Sequence, residues 1–204
     1  MRTFSGLTLP VLDFAQLNEG PAQQAHFLDS LRRAARDVGF FYLINHGIDP
    51  SLQQHVQEEA RRFFALPDEE KQRVAMIHSP HFRGYNRAAS ELTRGKPDWR
   101  EQFDVGAERP ALALREDEPR WRRLQGPNLW PEAQPELRPI LQAWQHAMTN
   151  MSLTLLRAFA RALGLPKDAF DVLYGDKPNE HIKLIRYPGQ ADRTREQGVG
   201  AHKD

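Results

Sequence analysis

Between Leu137 and Leu163, apolar residues recur at intervals of three and four: Leu137, Ile140, Leu141, Trp144, Met148, Met151, Leu155, Phe159 and Leu163. That spacing is the period of one helix face, and Gly164 follows as its stop. The stripe through Trp144, Met148, Met151 and Leu155 reads as core packing, not as a cofactor box. The rest of the chain must supply the elements that cover it. Upstream, Pro10–Phe14 reads as a short strand. Leu28, Leu31, Ala35 and Val38 fall at helical spacing before Gly39, and Phe40–Ile44 is an aromatic, β-branched run of strand length. Asn45-His46-Gly47 signals a turn. Asp49 and Pro50 form an N-cap followed by proline at N1, opening a helix with Leu52, Val56, Ala60, Phe63 and Phe64 on one face. Pro67 ends that helix and starts a short one through Lys71.

Residues 78–134 hold three of the four tryptophans and little sustained period. They read as a long irregular segment with short strands, the best being Gln102–Val105, and long irregular stretches inside compact domains are usually functional loops. After the long helix, Pro166 opens a short helix stopped by Gly175. Ile182–Tyr187 alternates as a strand up to Pro188-Gly189, and a charged turn leads to Gly198–His202. Helices and loops come first, and the sheet is barely begun at the end.

At 204 residues the chain suits one sizeable domain. A net charge of +1 implies no field for nucleic acid or an anionic membrane. Zero cysteines exclude disulfides, cysteine-ligated zinc, iron–sulfur clusters and thiol nucleophiles, so any metal must use His, Asp or Glu. The N-terminus lacks the apolar core of a signal peptide, and no run reaches membrane-spanning length. A soluble cytoplasmic protein is expected. Mean hydropathy is low, at −0.68, but the apolar residues are patterned, which argues against disorder.

The last three residues are His202-Lys203-Asp204. An imidazole and a carboxylate two positions apart on a strand point to one face and can share one ion. With a second His they would complete the 2-His-1-carboxylate set of non-haem Fe(II) oxygenases. Alone the tripeptide is a weak signal, and at a chain end the plain alternative is a solvated tail.

Its setting strengthens it. In order along the chain stand Leu9–Phe14, Gly39–Ile48, Phe63–Pro67 with Glu70-Lys71, Arg83-Gly84-Tyr85, Gly126–Pro131, Leu184–Pro188 and Gly198–Asp204. With these motifs the chain resembles the N-terminal part of the Fe(II)- and 2-oxoglutarate-dependent oxygenases of the isopenicillin N synthase-like family. Gly95-Lys96-Pro97-Asp98 together with Gly198–His202 resembles its bacterial ethylene- and succinate-forming branch, with Ser90-Glu91 near that branch's acidic substrate residue. The resemblance implies an α+β fold, in which N-terminal helices wrap the beginning of a distorted jelly-roll (double-stranded β-helix) core left incomplete here. The helices, short strands and irregular segment occupy 1–134, and the long helix with the first core strands occupies 135–204. It also implies an oxidoreductase that uses Fe(II), 2-oxoglutarate and O₂, oxidises a small molecule and releases succinate and CO₂.

His202 and Asp204 carry over as metal ligands. Tyr187 takes the position of an aromatic beside the co-substrate. Lys183, on the same strand face, reaches for a carboxylate or is a surface lysine. Arg83 and Tyr85 stand where family members contact substrate, with a structural role the even alternative. His46 is a turn residue before it is a ligand, His181 a strand-edge residue, and His78 and His81 loop residues. The distal His and the Arg-x-Ser of the family have no counterpart here, so the expectation is an N-terminal fragment that does not turn over 2-oxoglutarate alone. The alternative is a non-catalytic remnant that binds a partner or dimerises. Oligomeric state and prime substrate are not readable.

Overall fold

The computed structural model describes residues 8–174, 178–189 and 197–201. Along the chain come β1 (Val11–Asp13), α1 (Pro21–Arg33), β2 (Tyr42–Ile44), α2 (Pro50–Ala65) and α3 (Asp68–Arg73). Four strands follow within the segment read as irregular: β3 (Gly84–Asn86), β4 (Leu92–Thr93), β5 (Lys96–Pro97) and β6 (Glu101–Gly106). Then come α4 (Leu137–Ala162), α5 (Asp171–Tyr174) and β7 (His181–Arg186). The chain divides into two compact units, 1–53 with 146–177 and 54–145 with 178–204. This division differs from the 1–134 and 135–204 regions read from the sequence, because the stripe of α4 serves two separate cores. Leu137 and Leu141 belong to one, Met151, Leu155, Ala158 and Phe159 to the other.

In the first unit, β1 and β2 pair in parallel, Leu12 opposite Leu43. The Asp13 carboxylate ends β1 by accepting the Ala15 N–H at 3.1 Å, and the same oxygen takes the Asn45 amide at 2.9 Å. That second bond pins the turn after β2, where Asn45 has φ 52° and Gly47 φ 77°. Helix α1 starts with proline at N1, where no N–H is needed. It passes into a π-turn that Gly39 closes in the left-handed region, donating to the Ala34 carbonyl. The buried stripe runs through Phe27, Leu31 and Ala34, whereas Ala35, expected on that face, is exposed. These side chains pack with Leu12, Phe14 and Leu17 against the C-terminal half of α4.

In the second unit, β3, β6 and β7 form an antiparallel sheet with β6 in the middle. Helix α2 is capped by Asp49, whose carboxylate accepts the Ser51 N–H at 2.8 Å. Its Val56, Phe63 and Phe64 pack on one sheet face with Tyr85, Phe103, Val105, Leu137 and Leu141. Phe63 sits at the centre, its ring 4.5 Å from Phe103 and 6.0 Å from Tyr85. Strands β4 and β5 make a two-residue hairpin over Arg94 (φ 52°) and Gly95 (φ 77°), the positive-φ pair that suits strand twist. Among the described residues no helix is long and apolar enough to cross a membrane.

Candidate active site

Strand β6 sorts its side chains by alternation. Glu101, Phe103 and Val105 turn to the aromatic core, while Gln102 and Asp104 lie on the opposite face. Across from them, β7 places His181 and Lys183 on that second face, with Lys183 in register with Asp104. The Asp104 carboxylate is fully buried. Its Oδ1 takes the His181 Nε2 at 2.6 Å and lies 3.5 Å from the Lys183 ammonium. A carboxylate only accepts, so Nε2 is the nitrogen that donates to it. Lys183, expected from the sequence to reach a co-substrate carboxylate, lies beside Asp104 within the sheet.

Tyr187 follows β7 and is half exposed. Its ring lies against Gly198, where a Cβ would stand 3.1 Å from the ring, so only glycine gives this approach without crowding. Arg100 reaches the Glu91 carboxylate at 2.9 Å, and Glu91 also accepts the Gln102 amide. Glu91 is thus joined to the polar face of β6.

Asp98 ties the 197–201 segment to the hairpin. Its side chain is 1 % exposed and accepts three hydrogen bonds: from the Thr93 hydroxyl at 2.7 Å, the Gln197 amide at 3.1 Å and the Gly200 N–H at 3.2 Å. The Trp99 N–H donates to the Gln197 carbonyl at 2.7 Å. The Thr93 hydroxyl above all, helped by Gly200, Arg100 and Gln197, holds the Asp98 carboxyl below the usual carboxylate range against the opposing effect of burial.

His202 and Asp204 lie outside the described residues. The described residues run to Ala201, one after Gly200, whose N–H the Asp98 carboxylate accepts. No group of three or more His, Asp or Glu among the described residues could hold a metal ion. One imidazole with one carboxylate is a donor pair that suits Fe(II).

Arg83 is buried, its guanidinium donating to the carbonyls of His81, Phe82 and Leu124 and packing on Gly106. Tyr85 is buried in the aromatic core with its hydroxyl donating to Glu101 at 2.6 Å. His46 accepts the Ile48 N–H within its turn, as a turn residue should. His81 faces the Arg123 carbonyl at 2.6 Å. The sequence reading passed over Asp98, Gln197 and Asp104 as single residues. Only the polar-apolar alternation of Gln102-Phe103-Asp104-Val105 hinted at a second face.

Comparison with known proteins agrees with this geometry. The family described as the non-haem dioxygenase in morphine synthesis, N-terminal, matches residues 9–133. The 2-oxoglutarate-dependent dioxygenase frbJ of Dothideomycetidae sp. (strain 11243) is 38% identical over 200 residues, covering 97% of this chain and 53% of that protein. A homoarginine-6-hydroxylase of Arabidopsis thaliana is 34% identical over 211 residues, covering 97% of this chain and 62% of its own length. Among solved structures, a Neurospora crassa protein crystallised with alpha-KG superposes with a TM-score of 0.72 at 26% identity, covering 92% of this chain and 56% of that one. The chain spans about half the length of the curated relatives it matches. Since the family match takes in more than half of the residues, including the Asp98 hairpin and all of β6, the chain belongs to the non-haem dioxygenase family.

Proposed function

We propose that this chain serves a non-haem Fe(II)- and 2-oxoglutarate-dependent oxygenase that oxidises a small molecule and releases succinate and CO₂, with His202 and Asp204 as metal ligands. The observation that carries this reading is the seating of Gln197–Ala201 on Asp98. It holds the backbone at Gly200, two residues before His202, in the unit that also carries the polar sheet face of Gln102, Asp104, His181 and Lys183. A bound Fe(II) would activate O₂ and bind the chelating co-substrate. The protein's own residues bind and orient. Tyr187 stands beside the co-substrate, its ring seated on Gly198, and Lys183 supplies positive charge next to it, steadied by Asp104. Arg83 and Tyr85 enter through the elements they fix, since substrate contact by either would require leaving the partners described above. The sheet of β3, β6 and β7 forms part of a jelly-roll core, and the absence of cysteine suits a cytoplasmic setting.

Anaerobic Fe(II) titration followed by 2-oxoglutarate, read as visible charge-transfer absorption, tests the reading. His202→Ala and Asp204→Ala should each weaken metal binding by about tenfold or more, as expected for loss of a ligand. Unchanged binding in both variants refutes it.

A further inference from the structure

Two stretches far apart in the sequence, 95–99 and 197–201, meet in the structure. Asp98 and Gln197 form a parallel bridge, and the hydrogen bonds between the stretches run in both directions. Gln197 puts its side-chain amide into the mouth of the β4–β5 hairpin, near the carbonyls of Thr93 (3.3 Å) and Lys96 (3.2 Å) as well as Asp98 Oδ1. Gly200 is buried against Thr93, and a Cβ there would stand 2.7 Å from the Thr93 methyl. Only a bare backbone can come this close. The hairpin itself is held to β6, because Glu91 accepts from Arg100 and Gln102 while its carbonyl accepts the Asp98 N–H.

We propose that Asp98 is a positioning residue for the metal site: its buried carboxylate, with Gln197, fixes the backbone at Gly200, two residues before His202. The proposal rests on the reading of His202 and Asp204 as metal ligands. Its physical basis is that a ligand pair confers affinity only when its backbone is held before the metal arrives. Otherwise binding must order the segment, and that entropy opposes it. Asp98 is suited to the task, because a buried carboxylate needs its three donors, and two of them come from the segment it holds.

The same anchor makes the site sensitive to the hairpin. Thr93 contributes the third donor from β4, and Arg100 lies 3.5 Å from Asp98 while also bonding Glu91. A ligand that shifts the hairpin would shift the base of the metal site with it.

The test uses the whole chain, its Asp98→Ala, Asp98→Asn, Gln197→Ala and His202→Ala variants, and Co(II) as a redox-inert probe. Amide hydrogen exchange at Gly200 and Trp99 is measured without metal, with the Phe103 amide as a control for the sheet. In wild type the Gly200 and Trp99 amides should be protected. Asp98→Ala and Gln197→Ala should speed their exchange about tenfold or more, leave Phe103 unchanged, and weaken Co(II) binding in calorimetry by about ten- to hundredfold. Asp98→Asn, which keeps one acceptor oxygen, should fall between. Gln197→Ala serves where Asp98→Ala does not fold, since Gln197 is only partly buried. Unchanged Gly200 exchange overturns the proposal, as does faster exchange with unchanged Co(II) affinity. If His202→Ala binds Co(II) as wild type does, the metal reading itself falls. If His202→Ala loses Co(II) while Asp98→Ala and Gln197→Ala keep it, only the positioning role falls.

Discussion

Replacing Glu101 with Gln should destabilise the second unit more than any other single isosteric change in the sheet. Glu101 is 4 % exposed and faces the aromatic core, where a carboxylate needs partners to persist. It has three. Lys71 Nζ from α3 is 3.1 Å away, the Tyr85 hydroxyl from β3 donates at 2.6 Å, and Arg186 from β7 donates at 2.9 Å. Burial, then the bond to Glu101, pushes the Tyr85 hydroxyl above its ordinary range, so it stays a donor at all working pH. At 3.1 Å and an effective dielectric of about 20, the Lys71 attraction alone is about 5 kcal/mol before desolvation is subtracted. Removing one member of a buried pair typically costs about 3–5 kcal/mol. Glutamine keeps the volume and one acceptor, so we expect about 2–4 kcal/mol, while Tyr85→Phe, which removes one hydrogen bond, should cost about 1 kcal/mol. In urea, with a slope near 2 kcal/mol/M, the glutamine variant should unfold at a midpoint lower by about 1–2 M. The triple change Lys71→Met, Tyr85→Phe and Glu101→Leu should recover part of the loss, because it removes the buried charges and the buried hydroxyl together and leaves only the half-exposed Arg186 without its carboxylate. A midpoint shift below about 0.2 M for Glu101→Gln would refute the reasoning, showing that desolvation cancels the attraction.

Gly106→Ala would drive a Cβ into the Arg83 guanidinium, and such overpacking should cost about 1–3 kcal/mol in denaturant unfolding. Asp104→Ala leaves His181 and Lys183 without their buried acceptor and should cost about 2–4 kcal/mol, seen in the same assay. Asp98 carries a lowered folded-state pKa, so its contribution is fully present above the ordinary carboxylate value of about 3.9 and is lost as pH falls through the lowered one. The stability gap between wild type and Asp98→Asn should therefore be constant above about pH 5 and close only in strong acid; a gap that widens on acidification contradicts the assignment.

Neighbouring residues account for much of this fold. Asp49 with Pro50, Gly39 after its helix, and the period of Leu137–Leu163 act within one or two helical turns, and each appears in the structure where the sequence puts it. The correction at Ala35 has a tertiary cause: Leu12, Phe14 and Phe27 favour Ala34 as the next residue of the stripe. The site is another matter. Asp98 meets Gly200 across 102 residues, Asp104 meets His181 across 77, and Glu101 meets Arg186 across 85. Each pairing depends on the register of β6 with β7 or on the seating of a segment against a hairpin, and a one-residue slip would send every one of these side chains to the wrong face. Local sequence determined which elements form and where they end, because caps, turns and helical period are short-range. Which carboxylate faces which cation, and that Asp98 holds Gly200, was decided only when the strands came together.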